Sequence, residues 1–300
     1  MSILKTFLEQ VINGLQVGSI YALIALGYTM VYGIVKLINF AHGDILMVGA
    51  YTAFTCVTKY NMPLIAAIFV SVIVCSLLGV LIDRLAYKPL RNSPRISALI
   101  TAIGVSFFLE SVFLVFQGAD SKVIPQDKIP FYLSSATISI GSLRISYLTL
   151  VTIFSTIICM LVLNFFIKNT KLGKATRAVS EYPNAAKLMG INVNSTISIT
   201  FAIGSALGAL GGVLYSLTYP QIEPYMGMMP GLKAFIAAVF GGIGSIPGAM
   251  IGGYLMGLIE NFSKAYISST WANVIVFGIL ILILVFKPSG LLGKNIKEKV

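Results

Sequence analysis

Long apolar segments separated by short polar connections run along most of this 300-residue chain. A membrane-spanning helix needs about 20 apolar residues in succession. Segments of this length, or close to it, are Val11–Gly33, Leu64–Leu85, Ile96–Phe116, Tyr147–Ile167, Ser195–Tyr219 and Trp271–Phe286. The pattern predicts an all-α membrane protein, a polytopic helical bundle formed by residues 1–300 as a single transmembrane domain.

Two further apolar stretches are interrupted. The first break, Val35–Asp44, contains four polar residues and leaves Ile45–Thr58 as a short apolar segment. The second stretch, Leu232–Ile267, is too long for one ordinary helix, and the glycine-rich run 241–248 divides it. Glycine-rich backbone at membrane depth needs protein or a water-filled cavity around it. We therefore expect about eight spans in total, including broken or re-entrant half-helices.

The distribution of charge predicts the sides of the membrane. Lys168–Asn192 carries five of the 21 basic residues against one acid, which marks a cytoplasmic loop. The basic loop after Leu64–Leu85 and the tail after Lys287 are expected on the same side. Gln117–Ser146 has balanced charges and β-branched runs beside Gly141, which indicates an external loop with one hairpin. With a cytoplasmic N-terminus as well, each interrupted stretch must return to the side where it began.

Composition agrees with a membrane environment. The chain is 57% hydrophobic and 10% charged, whereas soluble domains contain about 25% charged residues. The net charge of +11 lies in short loops and the tail, so it does not indicate nucleic-acid binding. Cys56, Cys75 and Cys159 lie in apolar segments and are read as packing residues, because their wide spacing forms neither a disulfide framework nor a metal site.

The interrupted stretches contain the candidate residues of a translocation path. A faint similarity between 43–51 and 248–254 suggests paired broken segments, which mark the transport site in many repeat-built transporters. Buried ionisable groups in membranes are usually functional, although His42 and Asp44 could instead satisfy freed backbone groups. The glycines could equally be close-packing residues, and Glu110 could couple an ion or bond across helices. The candidate path residues are His42, Asp44, Gly241, Gly242, Gly244, Pro247 and Gly248.

The basic stretch Lys168–Asn192 also contains the pattern of a short surface helix. Ser180 can cap its start, Pro183 is tolerated in its first turn, and Gly190 suits the left-handed residue that ends a helix. Two adjacent alanines give this helix a thin face that another protein's backbone can approach. The residues expected to contact that protein are Glu181, Ala185, Ala186 and Gly190.

Several motifs resemble one transporter family. The spacing Ala185-Ala186-x-x-x-Gly190 resembles the cytoplasmic coupling loop of ABC importer permeases, Glu-Ala-Ala-x-x-x-Gly, with Asn184 in place of the glutamate. Three other runs resemble the high-affinity branched-chain amino acid permeases of the LivH type. They are GYTMVYG at 27–33, INFAHGD at 38–44 and GGIGSIPGAMIGG at 241–253. The resemblance extends from about Phe7 to Gly293.

This resemblance implies a transport subunit, not an enzyme, in a bacterial or archaeal cell (inner) membrane. The implied partners are a second homologous permease subunit, two cytoplasmic ATPases that bind ATP and Mg, membrane lipid, and a periplasmic or extracellular binding protein for leucine, isoleucine or valine. The chain is expected to bind no cofactor and no nucleic acid. Its run GLLGKN at 290–295 lacks the spacing of a phosphate-binding loop.

Other functions remain open at this point. Permeases of the same type serve urea and short amides, and other amino acids are alternatives too. A stand-alone secondary transporter or channel would need an ion site, for which Asp44 and Glu110 are the candidate acids. An intramembrane enzyme is disfavoured because the chain has neither an HExxH motif nor a nucleophile elbow.

Overall fold

The computed structural model describes residues 2–37, 39–91, 93–140, 143–287 and 289–293, so most of the basic tail lies outside the described residues. The helices are α1 Ser2–Val35, α2 His42–Thr58, α3 Leu64–Ile82, α4 Arg95–Gln117, α5 Phe131–Ser134, α6 Tyr147–Asn169, α7 Lys171–Glu181, α8 Pro183–Leu188, α9 Val193–Thr218, α10 Met228–Gly241, α11 Ile246–Tyr266 and α12 Ser269–Phe286. Two strands, β1 Thr137–Ile140 and β2 Leu143–Ser146, form an antiparallel hairpin.

The predicted helical membrane fold is confirmed. Among the described residues, six helices are long and apolar enough to cross a membrane, namely α1, α3, α4, α6, α9 and α12. The two predicted interruptions are present as well, because α1 ends at Val35 before α2 begins, and α10 ends at Gly241 before α11 begins. The two helices of Leu232–Ile267 are unequal in length. α10 has 14 residues, about 21 Å, but α11 has 21 residues, about 31 Å, which is full membrane length.

The prolines act at the ends of helices more than within loops. After α3 the chain continues through a π-helical turn, Asp83–Tyr87, and a 3₁₀ turn, Lys88–Leu90, that contains Pro89. Pro89 is tolerated there because a first-turn proline needs no N–H partner. Pro94 precedes α4 at its capping position, and Pro230 lies in the first turn of α10.

Helix α1 is at the centre of the bundle. In its most apolar window 89% of the residues are buried, against 11–28% in α3, α4, α6 and α12. It packs on α11 through small residues that include Gly14 and Gly18. A Cβ atom on Gly18 would lie 2.8 Å from the Cα of Tyr254, and one on Gly253 would lie 2.5 Å from the Cα of Ala22. The two helices are antiparallel and in backbone contact.

The helices α1–α4 and α9–α12 repeat one another in inverted orientation. Each set has a long central helix, a break, a short helix, a long helix and an outer helix. α1 packs against α11 as α9 packs against α3, and α1 crosses α9 where Gly27 meets Gly204. In this arrangement the start of α2 corresponds to the start of α10. The faint similarity between 43–51 and 248–254 is therefore not the repeat, because residues 248–254 belong to α11.

The bundle has two distinct ends. One end, which we name the loop end, contains α7, α8 and the turn Asp83–Tyr87, which lie beside the last residues of α1. We name the hairpin end by β1 and β2, where Gln16 of α1 bonds to Thr149 and Thr218, at the start of α6 and the end of α9. The connection after α2 also lies at the hairpin end, since Lys128 donates a hydrogen bond to Asn61.

These contacts place the start of α1 and the basic stretch Lys168–Asn192 at opposite ends. A cytoplasmic N-terminus and a cytoplasmic Lys168–Asn192 are therefore incompatible in this structure. The stretch Val35–Thr58 was expected to return to its own side, but it enters from the loop end and α2 leaves at the hairpin end. Because Val35–Thr58 passes from one end to the other instead of returning, the start of α1 lies at the end opposite to Lys168–Asn192.

Candidate translocation and docking sites

The two short helices begin at the same place in the bundle centre. Gly43 of α2 lies against Gly227 and Gly231 of α10, backbone to backbone, and we name this contact the central seam. A Cβ atom on Gly43 would lie 2.6 Å from the carbonyl oxygen of Gly227. His42 lies beside Gly208, near the middle of the 26-residue helix α9, so the central seam is at mid-depth.

His42 occupies a notch beside the central seam. Its ring packs on the ring of Tyr28 with centroids 4.6 Å apart, and it fills the space left by Gly27 on α1. The side chain is 1% exposed, and neither imidazole nitrogen makes a well-formed hydrogen bond within the described residues. The backbone of Ile24 is the polar group nearest to this ring, and the geometry falls short of a regular hydrogen bond, which is unusual for buried nitrogens.

Asp44 lies on the opposite face of α2 from His42. Its carboxylate faces Ser106 and Glu110 of α4, and both acids are buried. Its Oδ2 atom is without a hydrogen-bond partner in the described structure. The structure thus brings the two predicted path residues into one helical turn, but it directs them to different sides of α2.

Sequence reasoning did not single out Tyr28, Tyr87 or Phe235 near this site. Phe235 of α10 packs edge-on against Tyr28 with centroids 5.8 Å apart. Asn39, in the polar break, accepts a 3.0 Å hydrogen bond from the Tyr87 hydroxyl. The run GYTMVYG carries Tyr28 between two glycines, which was the available signal for a close helix crossing at this point.

The glycine-rich turn between α10 and α11 lies apart from the central seam. Gly241 and Gly248 pack backbone against backbone, while Gly242 contacts Gly293. The C-terminal segment covers this turn, because the backbone N–H groups of Leu291 and Leu292 donate to the carbonyls of Phe240 and Gly241. Gly244 and Pro247 are exposed at its edge. The turn therefore sits at the loop end, about ten residues along α10 from the central seam.

A buried charge network lies on the α10 side of the central seam. Lys233 Nζ is 2.7 Å from Glu260 Oε1, and the Tyr21 hydroxyl donates to Glu260 Oε2 at 2.7 Å. Lys264 Nζ is 2.6 Å from the same carboxylate. We name these four residues the charge network. It was missed from the sequence, where its only signal was an acid and a base inside the apolar stretch Leu232–Ile267.

The predicted surface helix exists at the loop end as α8, with Pro183 at its first position and Gly190 after its end at φ +80°. Ser180 does not cap it. Ser180 lies inside the preceding helix α7, where its hydroxyl donates to the Arg177 carbonyl, and Tyr182 holds the capping position. α7 itself was not predicted.

The four predicted contact residues differ in exposure. Glu181, Ala185 and Gly190 are exposed, whereas Ala186 is buried against the bundle. Three large apolar side chains that the sequence reasoning did not select project from the same segment. They are Tyr182, Leu188 and Met189, which are 71%, 89% and 82% exposed, respectively. These three side chains form an apolar tip at the loop end, which we name the α8 tip.

The α8 helix borders a cleft of about 690 Å³ between the end of α1 and the start of α9. Arg91 reaches the cleft and forms a 2.6 Å ion pair with Asp83, which is fully buried. Asp83 also accepts a 2.6 Å hydrogen bond from Ser198. These bonds tie the turn after α3 to the first turns of α9, beside α8.

No group of three or more His, Cys, Asp or Glu side chains in the described part of the chain is arranged to hold a metal ion. The architecture combines a helical bundle of membrane length, inverted short helices that meet at mid-depth, and an exposed helix at one end. This combination is typical of membrane transport proteins. The family model for the permease component of branched-chain amino acid transport systems matches residues 10–285, and the chain belongs to this family.

Individual relatives agree with the family. The chain is 45% identical to the high-affinity branched-chain amino acid transport system permease protein BraD of Pseudomonas aeruginosa, with 98% of each chain covered. It is 44% identical to the permease protein LivH of Escherichia coli K12, again over 98% of each. A probable LivH of Methanocaldococcus jannaschii is 29% identical, over 93% of this chain and 90% of the relative. No solved structure matches this chain.

Proposed function

We propose that this chain is the translocating permease subunit of an ATP-driven importer of branched-chain amino acids. The observation that carries the proposal is the α8 tip, an exposed apolar surface on a short helix outside the apolar spans. Family membership and two relatives named as high-affinity branched-chain amino acid permeases support leucine, isoleucine and valine as the substrates.

The excess of basic residues in Lys168–Asn192 supports a cytoplasmic loop end. The hairpin end then faces outward, where a binding protein delivers the amino acid, and the first turn of α1 faces outward too. Two ATPases, which carry ATP and Mg, bind at the loop ends of this chain and of a second homologous permease subunit.

The docking helix is connected to the bundle by contacts that transmit its movement. Ala186 anchors α8 in the core, while the Asp83–Arg91 pair and Ser198 fasten the adjoining turn to α9. When ATP draws the two ATPases together, force on the α8 tip moves the ends of α1 and α9, because α8 packs on α7 and α9, and α7 packs on both α1 and α9. Glu181, Ala185 and Gly190 stay exposed for the ATPase contact.

The central seam is the point at which the amino acid crosses. Its zwitterionic head requires polar groups at mid-depth, and His42 and Asp44 provide them on either side of Gly43. The rings of Tyr28 and Phe235 provide an adjoining apolar surface for the side chain. The backbone contacts of the turn 241–248 favour a structural role, in which the turn supports α10 by close packing.

The test is reconstitution of the chain with its neighbouring permease, ATPases and binding protein in proteoliposomes. Leucine with binding protein should stimulate ATP hydrolysis, and Leu188→Asp should reduce that stimulation at least about tenfold, because hot-spot side chains carry most of a docking energy. Leu188→Met is the matched control, since it preserves an exposed apolar side chain, and should behave as the wild type.

Two outcomes would contradict the proposal. Equal activity of Leu188→Asp and Leu188→Met would remove the α8 tip from the ATPase contact. Leucine uptake by the chain alone, without ATPases or ATP, would instead establish a secondary transporter and make Asp44 and Glu110 the residues to study.

A further inference from the structure

The central seam joins two helix N-termini. Each carries the positive end of its helix dipole, so α2 and α10 repel each other electrostatically where Gly43 meets Gly227. Close backbone contact between like helix ends persists only if other interactions hold the two helices in place. The interactions that surround α10 at the central seam differ from those that surround α2.

On the α10 side, the charge network holds the helix. Lys233 projects from α10 to Glu260 of α11, and Tyr21 of α1 bonds to the second oxygen of the same carboxylate. Lys233 is 7% exposed and Glu260 is 2% exposed. Both carboxylate oxygens have partners, and the two helices that receive α10 are themselves locked by glycine contacts. The first turns of α10 are therefore bonded to α1 and α11, two helices in direct backbone contact.

On the α2 side, buried polar atoms are left without hydrogen bonds. Within the described residues, Oδ2 of Asp44 and Nδ2 of Asn39 have no partner, and neither nitrogen of His42 makes a well-formed hydrogen bond. Unpaired buried polar groups are unfavourable, and a region that concentrates them gains by moving to an arrangement in which they find partners or water.

We propose that Lys233 and Glu260 are positioning residues that hold α10 as the fixed side of the central seam, so that transport proceeds by displacement of the start of α2. This proposal rests on the proposed function, since it assigns the moving and the fixed side of the path that the amino acid takes. Gly43 permits the closed contact, and the unpaired groups of His42, Asn39 and Asp44 meet water or substrate once α2 moves.

The main experiment separates this role from simple stabilisation. Removal of Glu260 alone leaves the buried ammonium of Lys233 without its ion pair and destabilises the fold, whereas neutralising Lys233 as well relieves that defect. The double variant Lys233→Met/Glu260→Gln should therefore fold and melt close to the wild type. In the complete reconstituted transporter it should nevertheless leak preloaded leucine without ATP, about tenfold faster than wild type, which corresponds to 1.4 kcal/mol of lost seam stability.

The matched control is Lys5→Met/Glu9→Gln. It neutralises the exposed pair on α1, where the charges are 3.8 Å apart, and should leave the leak unchanged. A folded Lys233→Met/Glu260→Gln transporter that is as tight and as well coupled as wild type would reduce the charge network to a structural role and overturn the proposal.

A second measurement identifies the moving side without knowledge of the substrate. Single cysteines replace His42 on α2 and Ala234 on α10, both buried, in a chain whose native cysteines are serines. During ATP turnover a water-soluble thiol reagent should modify the His42→Cys site, whereas Ala234→Cys stays protected. Modification of Ala234→Cys alone would make α10 the moving side and contradict the proposal. If the parent chain, with its native cysteines replaced by serine and His42 intact, failed to transport leucine but this contrast appeared in the cysteine variants, only the substrate assignment would be wrong.

Discussion

The antiparallel contact between α1 and α11 is so close that one methyl group should separate the helices. A Cβ atom on Gly253 would lie 2.5 Å from both the N and the Cα of Ala22, and 2.6 Å from its Cβ. Ordinary contacts between non-bonded carbon atoms are about 3.5–4.0 Å. Gly253→Ala therefore requires the two backbones to move apart by about 1 Å at this level.

The expected cost follows from two opposing effects. Overpacking of a well-packed interior costs about 1–3 kcal/mol, and backbone on both sides places this site at the upper end. Alanine favours a helix over glycine by about 1 kcal/mol, which offsets part of the overpacking cost. The free energy of unfolding should then fall by about 2 kcal/mol, which lowers the melting temperature by about 4 °C for a chain of this size.

The measurement is thermal unfolding of the purified protein in detergent, with Gly104→Ala and Gly278→Ala as controls. Both control glycines lie in helices, α4 and α12, and an added Cβ meets no atom within 4 Å in either case. The controls should be neutral or raise the melting temperature slightly, by helix propensity alone. A Gly253→Ala protein as stable as the controls would refute the close α1–α11 contact.

Three further predictions concern the ends of the bundle. Asp83→Ala should destabilise the protein by about 3 kcal/mol, because the half-buried guanidinium of Arg91 loses its ion pair; an unchanged melting temperature would contradict this. Gly190→Asn should couple ATP hydrolysis to transport nearly as well as wild type, whereas Gly190→Val should not, because φ of +80° excludes a β-branched residue; equal activity of both would argue against the left-handed turn. In intact cells an impermeant thiol reagent should label Lys5→Cys but not Lys187→Cys, and the opposite pattern would invert the topology.

The sequence predicts much of the helical framework. Apolar segments of spanning length became helices because membrane insertion depends mainly on hydropathy, which is local. The hairpin follows from the β-branched run beside Gly141. These features need no information about distant parts of the chain.

The features that the sequence did not predict have two causes. Some depend on tertiary contacts, and one depends on the assumption that α2 does not cross the membrane. α7 is rich in charged residues, and its only sign is the three-residue spacing of its buried Gly173, Thr176 and Val179. Lys233 and Glu260 are 27 positions apart, and nothing local brings them together. A cytoplasmic N-terminus and a cytoplasmic Lys168–Asn192 were predicted together, and the structure makes the two incompatible. The prediction did not count α2, a short helix of 17 residues, as a crossing.

The placement of His42 and Asp44 shows the limit of reading a site from spacing. Two residues two positions apart at a polar break suggest one site, and the structure does put both in the bundle interior. Helical geometry, however, separates their directions by about 200°, since each residue rotates by about 100°. His42 faces α1 and α9, while Asp44 faces α4.

The inverted order of the two helix sets has a consequence for how the path can open. α2 runs from the central seam to the hairpin end, and α10 runs from the same point to the loop end. In the proposed mechanism, a displacement of α2 alone would open the half of the path toward the hairpin end while α10 still lined the half toward the loop end. The charge network makes that asymmetry possible, because Glu260 bonds α10 to α11 and α1, whereas the start of α2 has unpaired polar groups and no comparable ion pair within the described residues. Two helices that are equivalent by topology are thus made unequal by four side chains.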